Sequence, residues 1–169
     1  MRSRFGSVSH LARRFAESLW PGGPRPADDA WARSLLSDRE QRLWGQMSGC
    51  DRRHAVAVAR RLPGLDQAAL PAVLPAALLH DVGKVESRLG PWRRAAATVL
   101  ALALGRDRVA KGRGRMARYL RHDVLGAQLL ERAGSSHLTV AWAREHHLPP
   151  SRWTLRPDLA AALKAADDD

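Results

Sequence analysis

His80 and Asp81 adjoin each other at the end of an apolar run, Ala-Leu-Leu, and are the first residues to suggest chemistry. An ionisable pair at the end of a buried helix is costly unless something compensates it, and a bound cation does so. The alternative for this dipeptide is an ordinary helix end that faces the solvent. His54 also has apolar neighbours, and Asp167 ends a further apolar segment. These four side chains predict one shared centre, with nitrogen and oxygen ligands that suit Zn, Mn, Fe, Ni or Co better than Ca.

The order of these residues resembles a known family. His80-Asp81-Val82-Gly83-Lys84, with a histidine well before it and an aspartate well after it, is similar to the HD superfamily of metal-dependent phosphohydrolases. The resemblance covers about residues 47–167. It implies an all-α fold, the HD-domain helical bundle, and a divalent transition metal held by His54, His80, Asp81 and Asp167.

A second resemblance concerns the HD-GYP branch of that superfamily. The segment 121–134, RHDVLGAQLLERAG, is similar to a ligand segment of the branch, and the doublet His146-His147 falls on its histidine pair. The branch implies two metals per chain, with Asp81 as the bridge between them. His54, His80 and Asp167 would bind the first metal. His122, His146 and His147 would bind the second metal or be shared between the two metals. Alternatively, His147 would contact a ligand rather than a metal.

The chain departs from that branch in two places. No Gly-Tyr-Pro follows His147, so this part of the pattern gives no support for recognition of a cyclic dinucleotide. Some members of the branch bind three metals and have a glutamate one helical turn before the first histidine. Cys50 stands at that position before His54. A third metal is therefore not expected, although a Cys50 thiolate could chemically act as a ligand.

Asp81 and Lys84 are the expected catalytic residues, because Lys84 lies one turn beyond the His-Asp pair and could reach a phosphate. At least one of Arg52, Arg53 and Arg121 could face the pocket, although a solvated surface position is the favoured interpretation for each single arginine. The predicted reaction is hydrolysis of a phosphate ester, of a nucleotide or a similar small molecule, by a metal-activated water. Two alternatives stay open: a catalytically degenerate HD module with a regulatory or metal-binding role, and a nucleic-acid binder that uses the basic loop 106–121.

Composition limits the remaining classes. The chain has 169 residues, a net charge of +11 and one cysteine, which favours one domain, an anionic partner and a reducing, cytoplasmic compartment. A small phosphorylated substrate is the expected partner; nucleic acid is not favoured, and the oligomeric state is not predicted. The longest apolar run, residues 95–104, is too short for a transmembrane segment. It could be a dimer face, a lid over the site or plain core.

Hydrophobic spacing predicts helices throughout, with no strand. Residues 1–37 are interpreted as a basic N-terminal helical extension and residues 38–169 as the HD domain. Asp51 is predicted to cap one helix, and Pro75 to lie in the first turn of another. The predicted helices cover about residues 8–20, 28–36, 38–47, 51–62, 72–82, 91–104, 123–133, 136–147 and 157–167, with a loop at 105–114.

Overall fold

The computed structural model describes residues 22–62 and 70–168, and within these ranges the chain is all-α, without a strand. The all-α prediction is confirmed, whereas the helix predicted over residues 8–20 lies outside the described residues. Two 3-10 segments, Val82–Glu86 and Pro150–Arg152, accompany the helices. The α-helices of the described ranges are α1 Pro26–Ser34, α2 Asp38–Gln46, α3 Gly49–Arg60, α4 Leu70–Leu79, α5 Pro91–Leu104, α6 Arg106–Ala110, α7 Arg115–Leu120, α8 His122–Ala133, α9 His137–Glu145 and α10 Pro157–Asp168.

Local capping chemistry decides several helix ends. Ser37 and Glu40 form a reciprocal capping box at the start of α2. Gly134, with φ of 74°, ends α8 in the left-handed conformation that glycine adopts without strain. The prediction that Asp51 caps α3 is wrong, because the hydroxyl of Ser48 accepts the backbone N–H of Asp51 and the helix begins at Gly49.

The segment before the His-Asp pair also differs from its prediction. The helix expected over residues 72–82 is α4, Leu70–Leu79, and Pro75 lies inside it rather than in its first turn. The chain then continues through His80 and Asp81 into the 3-10 segment Val82–Glu86. The predicted loop 105–114 contains the short helix α6. Pro75 does not end α4, because the second half of this helix is completely buried and its packing outweighs the helix-breaking tendency of proline.

Helix α4 lies at the centre of the core. Its neighbours α3, α9 and α10 pack against it, and α9 also packs along α8. Ala32 and Leu36, from the first described helix and its end, belong to the same core cluster as α4. The domain boundary at residue 37 stays a prediction. No described helix combines the length and the apolarity needed to cross a bilayer. The largest fully buried side chains are Trp44, Trp142, Leu78, Leu79, Leu130 and Leu163.

The turn that carries Asp81 packs directly on α8 through two glycines. A Cβ atom built on Gly83 would lie 1.9 Å from the carbonyl oxygen of His122 and 2.5 Å from the backbone nitrogen of Gly126. A Cβ on Gly126 would in turn lie 3.0 Å from the nitrogen of Gly83. Backbone therefore meets backbone, and this close approach places the start of α8 beside Asp81.

The variant Gly83→Ala is expected to lose about 1–3 kcal/mol of unfolding free energy or more, because its methyl group would push α8 away from the turn. Chemical denaturation of the metal-free protein measures this loss. Gly45→Ala is the control, since nothing lies within 4 Å of that helical position and alanine is the better helix former. Equal stability of Gly83→Ala and wild type would contradict the close packing.

Candidate metal centre

The carboxylate of Asp81 is only 3% exposed, and its two oxygens face different groups of histidines. Oδ2 lies 3.4 Å from Nε2 of His80. Oδ1 lies 3.2 Å from Nε2 of His122 and 3.8 Å from Nε2 of His146. One buried carboxylate thus separates two clusters of nitrogen donors.

The first cluster lies on the Oδ2 side and combines residues that are far apart in the chain. Oδ1 of Asp167, near the end of α10, lies 3.1 Å from Nε2 of His54 in α3 and 3.6 Å from Nε2 of His80. The ligand atoms of His54, His80 and Asp81 all lie within 4.8 Å of one another. The four residues that the sequence predicts as core ligands are therefore neighbours in space.

The second cluster consists of His122, His146 and His147, whose ligand nitrogens also lie within 4.8 Å of one another. Helix α8 begins with His122, and the two other histidines directly follow α9. Nε2 of His147 lies 3.1 Å from Nε2 of His122, although the His147 side chain is exposed at the rim of the cluster. The packing of α8 against α9 brings the histidine doublet to the turn that carries Asp81.

Three of the rings are held in the same orientation by the backbone. Nδ1 of each ring donates to the carbonyl oxygen three residues earlier, at 2.9 Å for His80, 2.7 Å for His122 and 2.9 Å for His146. With the proton on Nδ1, a neutral ring carries its lone pair on Nε2. Histidines that bind metals have this pattern, in which the second ring nitrogen donates to a carbonyl and fixes the tautomer.

Two of the nitrogens that face the centre lack a hydrogen bond. Nε2 of His80 and Nε2 of His146 are buried, and neither has a hydrogen-bond partner among the described residues. An unsatisfied buried polar group costs about 1–3 kcal/mol. A divalent cation in each cluster would use one of these nitrogens, and the two cations would also neutralise Asp81 and Asp167, so the donor set fits transition metals.

The charges of the cluster are strongly coupled without a metal. Burial alone would lower the pKa of His80, but the carboxylates of Asp81 and Asp167 raise it to about 10. Burial alone would raise the pKa of Asp81, but Lys84 and His80 hold it well below its usual range. Burial and the positive charge of His80 lower the pKa of His146 to about 3. The metal-free centre therefore holds a charged His80 beside a neutral His146.

Lys84 connects the centre to two residues that the sequence analysis did not single out as functional. Its Nζ contacts Oδ2 of Asp81 and lies 4.0 Å from Oδ1 of Asp51, which accepts a 2.6 Å hydrogen bond from Arg94. Asp51 stands three residues before His54, hence on the same face of α3, and that spacing was the available signal. No sequence pattern indicated Arg94, because it approaches from α5.

The arginines that were expected near the pocket have other contacts. Arg52 donates to Asp29 at 3.1 Å, and Arg53 donates to the carbonyl oxygen of Gly22. Arg121 is exposed.

Cys50 belongs to neither of the two ligand groups. Its Sγ lies 3.0 Å from the hydroxyl of Ser48, at the start of α3. Thiolate ligation thus has no support among the contacts of this residue.

No protein-family model, no curated protein and no solved structure matches this chain. The similarity to the HD superfamily therefore stays a prediction from the sequence.

We expect Asp81→Asn to weaken binding of Mn²⁺ by more than about 100-fold, because a neutral amide replaces the carboxylate that faces both clusters. Competition with a fluorescent chelator measures the affinity, and elemental analysis gives the metal content. His137→Ala is the matched control, since His137 is exposed at the start of α9 and lies outside both clusters. Equal affinities of the Asp81 variant and wild type would refute this centre.

The ring nitrogens of the metal-free protein offer a second test. At about pH 8, where an ordinary histidine is neutral, ¹⁵N chemical shifts should show His80 charged and His146 neutral with its proton on Nδ1. Because the pKa of His80 is raised in the fold, its charge stabilises the metal-free protein at low and neutral pH, and this contribution disappears as the pH rises through about 10. Added Mn²⁺ or Zn²⁺ should displace this proton. A neutral His80 at about pH 8 without metal would contradict the electrostatics described above.

Proposed function

We propose that this chain is a metal-dependent phosphohydrolase of the HD type, with two divalent cations on opposite sides of Asp81. The single observation that carries the proposal is the position of the Asp81 carboxylate. Each of its oxygens faces a separate cluster of imidazole nitrogens, as a bridging ligand requires. His54, His80 and Asp167 would hold one cation, and His122, His146 and His147 the other.

When bound, such a pair of cations supplies a water of lowered pKa and polarises a phosphoryl oxygen. The residues of the chain do the remaining work. Asp81 and Asp167 concentrate negative charge in a dry site, and the backbone carbonyls aim the imidazole nitrogens at it. This preorganisation is the main source of electrostatic stabilisation for a transition state.

Lys84 is the proposed contact to the phosphate. Its ammonium group contacts Asp81 from the 3-10 segment, and its side chain is still 14% exposed. Once cations neutralise Asp81, the ammonium group is available to an oxygen of the substrate. A lysine serves there as a compact positive charge on a flexible stem, which suits a phosphoryl group.

A basic cleft lies beside the same 3-10 segment. The cleft has a volume of about 660 Å³, within the usual range for small-molecule sites. One wall is held by Arg115, whose guanidinium donates to the carbonyl oxygens of Ser87 and Arg88. The cleft is lined by Gln46, Val85, Glu86, Ser87, Arg88, Arg115 and Arg118. Neither Lys84 nor any proposed metal ligand lines this cleft, so a nucleotide or a similar small phosphate ester stays the substrate class that the resemblance of the sequence implies.

We expect the protein reconstituted with Mn²⁺ to hydrolyse a chromogenic phosphodiester or phosphomonoester. Lys84→Gln should lower kcat/KM by about 100-fold while the metal content stays unchanged, because it removes a charge that the transition state uses but no metal ligand. Lys164→Gln is the matched control: Lys164 lies on α10 with Asp167 but pairs with Asp168 at the surface.

Two results would count against the proposal. Fully loaded protein without turnover on either substrate class would favour a metal-binding module without catalysis. Turnover that survives removal of the metal with a chelator would exclude the proposed chemistry.

A further inference from the structure

Helix α5 has its large apolar side chains on the outside. Trp92 is 69% exposed and Val99 is 64% exposed, and with Ala96 and Ala103 they recur at the spacing of one helical face. Ala97 and Ala101, on the opposite side, are buried. The reading of residues 95–104 as plain core is therefore wrong. A soluble helix normally turns its large apolar residues inward, so the outer face of α5 calls for an occupant.

The surface around this face is strongly basic. Residues 88–121 contain ten Lys and Arg and a single acidic residue, Asp107, so they carry nine of the eleven net positive charges of the chain. Eight of these basic side chains are exposed and form no ion pair with any carboxylate that the structure describes: Arg88, Arg93, Arg108, Lys111, Arg113, Arg115, Arg118 and Arg121. The charge is thus available to an external anion.

The combination of the two features selects the occupant. A second copy of the chain would bring the same positive charges together, which is unfavourable. A nucleic acid would match the cations but would leave the apolar side chains in water. An anionic lipid surface matches both, because the side chains enter the acyl region while Lys and Arg contact the headgroups.

The dimensions of α5 fit a helix that lies in the plane of the bilayer surface. Its 14 residues span about 21 Å, less than the roughly 30 Å of a hydrocarbon core. Trp92 stands at the N-terminal end of the helix, and tryptophan prefers the boundary between headgroups and acyl chains. From this geometry we propose that α5 and the basic segment after it form a docking surface for anionic membranes. The proposal depends on neither the metal centre nor catalysis.

Flotation of the full chain with lipid vesicles tests the proposal. The protein is expected to bind vesicles rich in phosphatidylglycerol and to bind pure phosphatidylcholine vesicles at least about tenfold more weakly, with an affinity that falls as salt is added. The double variant Val99→Asp/Leu102→Asp should lose this binding although both positions are exposed, so that folding is spared. Quenching of Trp92 by brominated lipid, and its loss in Trp92→Phe, reports insertion of the helix.

Two double variants that lose the same charge distinguish a specific role of residues 88–121 from general attraction between a basic protein and an anionic membrane. Arg108→Gln/Lys111→Gln should lower the partition coefficient by about tenfold or more, at roughly 1 kcal/mol per charge. Arg39→Gln/Arg132→Gln removes the same charge from exposed positions outside residues 88–121 and should bind nearly as wild type. Circular dichroism and metal content verify the fold of each variant.

Three outcomes would overturn the proposal. The first is unchanged vesicle binding by Val99→Asp/Leu102→Asp, which would place any membrane contact elsewhere in the chain. The second is a dimer that this double variant disrupts, in a protein that binds no vesicles. The third is binding of single-stranded or duplex DNA or of RNA without binding of anionic vesicles.

Discussion

The carboxylate of Asp81 is buried where four basic groups surround its two oxygens. His80 and Lys84 approach one oxygen, and His122 and His146 lie near the other. A buried carboxylate is stable only if its charge is compensated, and here compensation comes from the sequence neighbours His80 and Lys84 and from His122 at the start of α8. The electrostatics of Asp81 therefore connect the centre of the fold to its proposed chemistry.

The helices around Asp81 are packed so that basic side chains reach its buried carboxylate. The second half of α4 is buried so completely that its end can present His80 and Asp81 in a dry environment. Gly83 and Gly126 let the following turn touch α8, and α9 packs against α8 so that the doublet His146-His147 reaches the same place. The raised pKa of His80 and the lowered pKa of His146 both follow from this crowding. In the metal-free protein, the positive charge of protonated His80 compensates the nearby carboxylates, as a bound cation would.

Part of the fold and the site could be predicted from the sequence. The all-α class follows from hydrophobic spacing, and helix ends such as Ser37 and Gly134 follow from local capping chemistry. The proximity of His54, His80, Asp81 and Asp167 could be predicted because burial of ionisable side chains is costly, and one bound cation could offset this cost for all four. Resemblance to the HD-GYP branch, rather than spacing, singled out His122 and the doublet.

The features that escaped prediction depend on tertiary contacts. Pro75 is accommodated inside α4 because burial of the helix outweighs one missing hydrogen bond. Arg94 reaches Asp51 from α5, and no periodicity in the sequence encodes that pairing. The outward face of α5 could not be distinguished from core, because an apolar run gives the same signal whether it meets protein, lipid or water.

The most direct test of the account is anomalous diffraction from crystals of the Mn²⁺-reconstituted protein. The proposed centre predicts two peaks within ligand distance of Asp81, one beside His54, His80 and Asp167 and the other beside the second cluster, separated by about 3.5–4 Å. A single peak, or peaks whose ligands do not include Asp81, would contradict it.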